Sequence, residues 1–164
     1  MKLPLVRASA LALLVGLGVT AMAAEPIVQF NRGIGVDPVA GISSTGLPVV
    51  NTVLGVTPGG RPWVIHKLRA TFSPDGTVNV RGSGLLFSGG DNIGTRGSVA
   101  QVRATLFCAG VPHDSPLADL DQQGNFTIKG QMLATPPNPC ATPVLLIRSP
   151  GGNWFAAGIV GDAD

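Results

Sequence analysis

In the stretches of this chain that carry regular pattern, apolar side chains recur every second residue, and turns rich in Gly, Pro, Asp and Asn end each run. Residues 64–72, VIHKLRATF, place Val64, His66, Leu68, Ala70 and Phe72 on one side and Ile65, Lys67, Arg69 and Thr71 on the other. A period of two is the mark of a half-buried strand, because successive side chains of extended backbone point to opposite faces. Ser73-Pro74-Asp75-Gly76 follows; Pro fixes φ and Gly is free to take φ > 0, as a tight turn requires. Alternation resumes over 77–87 with Val78 and Val80 on the inner side, so the two runs predict a hairpin.

The pattern repeats down the chain. Residues 98–108 set Ala100, Val102, Ala104, Leu106 and Cys108 against Gln101, Arg103 and Thr105. A short apolar run at 117–120 leads into the turn at 121–125. Phe126, Ile128 and Met132 then line the next strand, with Thr127, Lys129 and Gln131 facing out. Residues 144–147, VLLI, are continuously apolar, as expected of a central strand, and residues 154–160, WFAAGIV, form the last. Residues 47–56 predict a first strand, with 27–30 a further short one; 31–46 are turn-rich and predict a mobile linker or an edge wrapping. No stretch after the leader keeps a 3.6-residue apolar stripe over three turns. The fold class expected is all-β: a single antiparallel β-sandwich (Ig-like or a small barrel) of about seven or eight strands. The domain organisation expected is a signal peptide over 1–23, a flexible segment over 24–46 and a sandwich domain over 47–164.

The leader has the three parts of a secretory signal. Lys2 and Arg7 supply positive charge, residues 8–20 are almost wholly apolar, and Ala21-Met22-Ala23 fits the small-x-small cleavage rule. Cleavage after Ala23 would leave a secreted or periplasmic protein. The competing reading, a retained anchor, is weakened by the shortness of the apolar run and by Gly16 and Gly18 within it. No later segment is apolar enough to span a membrane.

Export changes how Cys108 and Cys140, the only cysteines, are read. A structural disulfide is expected, since redox and zinc sites favour close pairs such as C-x-x-C. It would tie LATPPNPCATP (133–143), whose four prolines cannot donate a regular ladder, to the end of the long strand.

Charge excludes some partners. The chain has 11 Lys and Arg against 9 Asp and Glu. Without Lys2 and Arg7, residues 24–164 are balanced, so no large electrostatic footprint for nucleic acid or an anionic membrane is expected. Few residues suit catalysis: two His, one Glu and no Tyr. His113-Asp114-Ser115 are contiguous and cannot form a relay, and no G-x-S-x-G turn is present. His113, Asp114 and His66 are nevertheless the candidates for a small hydrolase or a metal site, although no ligand spacing is diagnostic. The loop SGGDNIGTRG (88–97) offers Asp91 and Asn92 as hard oxygen donors for Ca²⁺, but with one acidic residue it reads first as a long turn. Trp63 and Trp154 stand at strand starts; they either cap the core or, if exposed together, stack on sugar rings.

The stretches GRPWVIHKL (60–68), GSGLLFSGGDNIGT (82–95), TLFC (105–108) and PPNPC, PVLLI and GGNWFAAGI (136–159) resemble a group of small exported bacterial all-β proteins of uncharacterised function. The resemblance implies one secreted all-β domain and carries over no site residue. The functional expectation is an exported non-enzymatic module binding an unknown protein or glycan ligand, with no cofactor and no catalytic or metal site. A self-assembling surface protein is the other non-enzymatic reading, since near-zero net charge removes the repulsion between copies.

Overall fold

A computed structural model describes residues 25–161. The predicted signal peptide lies outside the described residues, among which there is no helix. Thirteen strands follow in order: β1 (Val28–Gly35), β2 (Val39–Ile42), β3 (Pro48–Val50), β4 (Trp63–Val64), β5 (Lys67–Phe72), β6 (Thr77–Ser83) and β7 (Leu86–Phe87). The remainder are β8 (Gln101–Cys108), β9 (Val111–Asp114), β10 (Ala118–Asp119), β11 (Phe126–Gln131), β12 (Val144–Arg148) and β13 (Trp154–Val160).

Eight of these strands form one antiparallel path, β10-β8-β12-β13-β1-β5-β6-β11, and β9 pairs with β8. The sheet curls into a half-barrel and buries its concave face. Phe30, Leu68, Phe72, Val80, Leu106, Ile128, Leu145 and Ile147 fill it and are fully enclosed. Phe30 and Phe72 meet edge to face, with ring centroids 6.2 Å apart. Gly158 is a site of close approach: a Cβ there would lie 2.8 Å from both Leu145 and Phe30 side chains. Gly82 leaves room for the Phe126 ring, which a Cβ would strike at 2.1 Å.

The free edges come together through the segment after β11. Met132 N–H donates to the Gly76 carbonyl, and Leu133 N–H donates to the Asp114 carbonyl of β9 at 2.8 Å. The chain crosses from one sheet edge to the other here, and the Cys108–Cys140 disulfide holds that crossing against the end of β8. The Ala109 N–H also donates to the Ala141 carbonyl. The expected bridge and its task are both present.

The expected hairpin is β5–β6, in register from Lys67↔Ser83 to Phe72↔Val78. VLLI lies in β12, between β8 and β13, with Leu145, Leu146 and Ile147 fully buried. Two expectations need correction. The stretch 24–46, expected to be flexible, contains β1, an interior strand paired with β13 and β5. Its Gly residues read as turn signals, but Gly35 is there because the chain passes over β4: a Cβ would sit 2.0 Å from the Trp63 carbonyl oxygen. Residues 47–56 are not a core strand; β3 pairs only with β2 in an exposed ribbon turned by Ser43–Gly46. The sandwich-like enclosure comes from one sheet curling rather than from two separate stacked sheets. That places the fold nearer the small-barrel form of the expectation.

Two outcomes test this account. Replacing both Cys108 and Cys140 by Ser should lower unfolding free energy by about 3–4 kcal/mol, through the freed loop entropy of the unfolded chain, read from the urea midpoint. An unchanged midpoint would show that the crossing holds itself. Acid stability should depend on two turn carboxylates. Asp121 accepts the backbone N–H of Asn125 at 2.7 Å and its side-chain amide at 2.9 Å, which holds its carboxyl below the ordinary value. Asp75 is lowered in the same way by the backbone N–H and then the hydroxyl of Thr77. A depressed folded pKa gives stability that is complete above the unfolded value, about 3.9, and is lost as pH falls through the folded value. Melting temperature should therefore fall below about pH 4, and less so in the D75N/D121N double variant.

Candidate functional site

The residues that sequence reasoning selects are separated by the fold. Trp63 and Trp154 are buried, at 3% and 4% exposure. Trp63 stacks on Phe155 at 4.2 Å and touches Phe87 at 4.3 Å. The Trp154 indole N–H donates to the Asn51 carbonyl at 3.0 Å. The β4–β7 ribbon thus covers the outward side of β13; Trp154 is enclosed, and Trp63, though largely buried, lines a depression with Phe87 and Phe155. The core-capping reading of the two residues is the one that matches.

Asp91 and Asn92 are exposed in a loop held by its own bonds. The Asn92 carbonyl accepts from the Thr95 N–H at 3.1 Å and the Thr95 hydroxyl at 2.8 Å, so this oxygen is already engaged. Among the described residues, no group of three or more His, Cys, Asp or Glu side chains is placed to hold a metal ion.

His113 and Asp114 are neighbours on β9 and point to opposite faces, as strand geometry demands. The His113 ring places Nδ1 3.3 Å from the Ala134 carbonyl, and its Nε2 is buried. Asp114 is locked into a polar cluster on the other face. It accepts from the Thr105 hydroxyl at 2.6 Å and from Arg103 at 3.2 Å, with Arg148 at 3.6 Å. Arg148 also donates to the Gly152 carbonyl at 2.9 Å. A carboxylate so engaged serves as a structural anchor. His66 is exposed at the bend between β4 and β5, away from both; the strand break there shifts the alternation and removes it from the apolar face.

What the fold does assemble is a row of cations. β1, β5, β6 and β11 are adjacent, and their outward positions carry Arg32, Lys67, Arg69, Arg81 and Lys129, all exposed. These are five of the nine Lys and Arg among the described residues, and no Asp or Glu lies in any of the four strands. Arg69 stands directly opposite Arg81. The ion pairs among the described residues involve Arg103 and Arg148 only, so none of the five has a carboxylate of a described residue within 4.0 Å. Between them lie Thr71, Asn79, Ser83 and Thr127, neutral groups that donate and accept hydrogen bonds.

The surface is also shaped. A groove of about 440 Å³ is lined by Asn31, Arg32, His66, Lys67, Arg69 and Ile159. It continues into shallower depressions of about 270 Å³ and 180 Å³ beside Arg81. Arg69 lines all three. The one available signal in the sequence is that Lys67, Arg69 and Lys129 fall on outward positions. Their meeting depends on β6 lying between β5 and β11, and on β1 being a strand at all.

The fold and this face together define a disulfide-stapled all-β half-barrel with a basic outer surface. No protein-family model, no curated protein and no solved structure matches the chain.

The Asp114 cluster yields one further expectation. Asp114→Ala leaves Arg103 and Arg148 half-buried beside each other without a counter-charge. It should cost about 1–3 kcal/mol in chemical unfolding. A loss below the error of the measurement would show that solvent already screens the cluster.

Proposed function

We propose that this protein is an exported, non-enzymatic binding module of the bacterial envelope or extracellular space, and that it takes an anionic ligand on the outer face of β1, β5, β6 and β11. The observation that carries this reading is the direct Arg69↔Arg81 pairing within a surface that has no acidic residue in its strands. Like charges directly opposite each other on a sheet are destabilising, by roughly 0.2–1 kcal/mol for such pairs. A surface that bears this cost and adds three more cations is organised for a partner of opposite sign. The rigid sheet beneath it limits the ordering cost of binding. The disulfide is compatible with an oxidising location. Among the described residues no helix is long and apolar enough to cross a membrane.

A second reading, self-assembly, is favoured by the β2–β3 ribbon. Val39, Ile42, Val49 and Val50 are exposed there, together with Leu47 beside it. Light scattering that rises with concentration, and falls when Ile42 and Val50 are replaced by Thr, would support that reading.

The binding face is tested by chromatography of the folded protein without its leader. It should be retained on a sulfonate cation exchanger at neutral pH although its charges balance, and R69Q/R81Q should elute at markedly lower salt. The same double variant should melt no lower than the parent, because it relieves the cross-strand repulsion. Flow-through of the parent, or identical elution of the two proteins, would refute the reading.

A further inference from the structure

Resting on the anionic-ligand reading above, we infer that the ligand is a linear acidic polysaccharide, bearing carboxylates or sulfates, laid across the strands along the Arg32–Arg69–Arg81–Lys129 row. The row crosses four adjacent strands, which at about 4.8 Å per step gives a track of about 14 Å. That is room for a few linked sugar rings. The three depressions sharing Arg69 make the track continuous from β1 to β6. The Arg guanidiniums present planar forks suited to carboxylate or sulfate oxygens. The hydroxyls and amides of Thr71, Asn79, Ser83 and Thr127 lie between the charges. Alternation of fixed positive charge with neutral hydrogen-bonding groups matches a polymer whose anionic groups are separated by ring hydroxyls.

The same surface is poorly matched to other polyanions. Single-stranded nucleic acid is held by rows of aromatic rings on which successive bases stack; no Phe, Tyr or Trp lines the three depressions, and His66 is the one ring at the groove wall. An anionic membrane surface is held by cations set beside inserted apolar side chains. Here the groove wall has one exposed apolar side chain, Ile159, and the buried Leu68; Ile34 of β1 and Val160 of β13 are also exposed but do not line the groove.

The experiment is a titration of the leaderless, disulfide-bonded protein with polygalacturonate, dextran sulfate, neutral dextran, a single-stranded oligothymidine and vesicles rich in anionic phospholipid. All are compared at one low salt concentration and matched anion content, and the polysaccharide titrations are repeated across a salt series. At least one acidic polysaccharide should bind, neutral dextran should not, and the oligonucleotide and vesicles should bind at least tenfold more weakly. R69Q/R81Q should weaken polysaccharide binding more than tenfold and flatten its dependence on salt. K129Q, at the far end of the row, should weaken it less. Tighter binding of the oligonucleotide or vesicles, lost in R69Q/R81Q, would overturn the polysaccharide assignment while leaving the binding face in place. Failure of every polyanion to bind, or polysaccharide binding that R69Q/R81Q does not change, would overturn both.

Discussion

One constraint governs this molecule: a wide sheet with an apolar concave face, and no helix among the described residues to cover it, must cover itself. Curling does so, and the curl brings the edge strands β9 and β11 near enough for the residues after β11 to bond across the gap. The proline-rich crossing at 133–143 follows from this, since the chain must travel from one edge to the other without adding a strand. The Cys108–Cys140 bridge fastens a segment whose prolines cannot be fastened by a ladder.

Curling also creates two unlike outer surfaces. Over β8, β12 and β13 the convex side is covered: Trp63, Phe87 and Phe155 pack there, and Thr105 is buried beside the Asp114 cluster. Over β1, β5, β6 and β11 it is bare and basic. The acidic residues among those described sit in turns, in the N-terminal segment or on β9 and β10, outside the four strands. Residues 24–164, whose charges balance, thereby gain a face of one sign. The overall count, which argued against any electrostatic footprint, averages over a distribution that the fold has sorted.

Much of the architecture was legible from alternation, because burial of one sheet face imposes a period of two wherever a strand has a solvent side. The β5–β6 hairpin, β8 and β11 follow from it, while β12 was legible as a continuous apolar run. Legibility failed where a strand has an unusual neighbour. β1 carries two glycines, Gly33 and Gly35, that read as turn signals, yet Gly35 serves close passage over Trp63. The run at 47–56 is apolar enough for a core strand but pairs only in an exposed ribbon, and apolarity alone does not specify a partner. The site suffered in the same way. Asp114 and His113 looked chemically able, but their bonding groups are already occupied or enclosed.

The sequence by itself determined an all-β chain with short strands, sharp turns and one cysteine bridge, because periodicity, turn chemistry and an isolated cysteine pair are local or nearly local properties. Only the tertiary structure decided that the sheet is a single curled path, that both tryptophans are inside, and that Arg32, Lys67, Arg69, Arg81 and Lys129 share one face. Those facts depend on which strands lie side by side. Strand order is set by the packing of the whole concave core, and no window of sequence contains it.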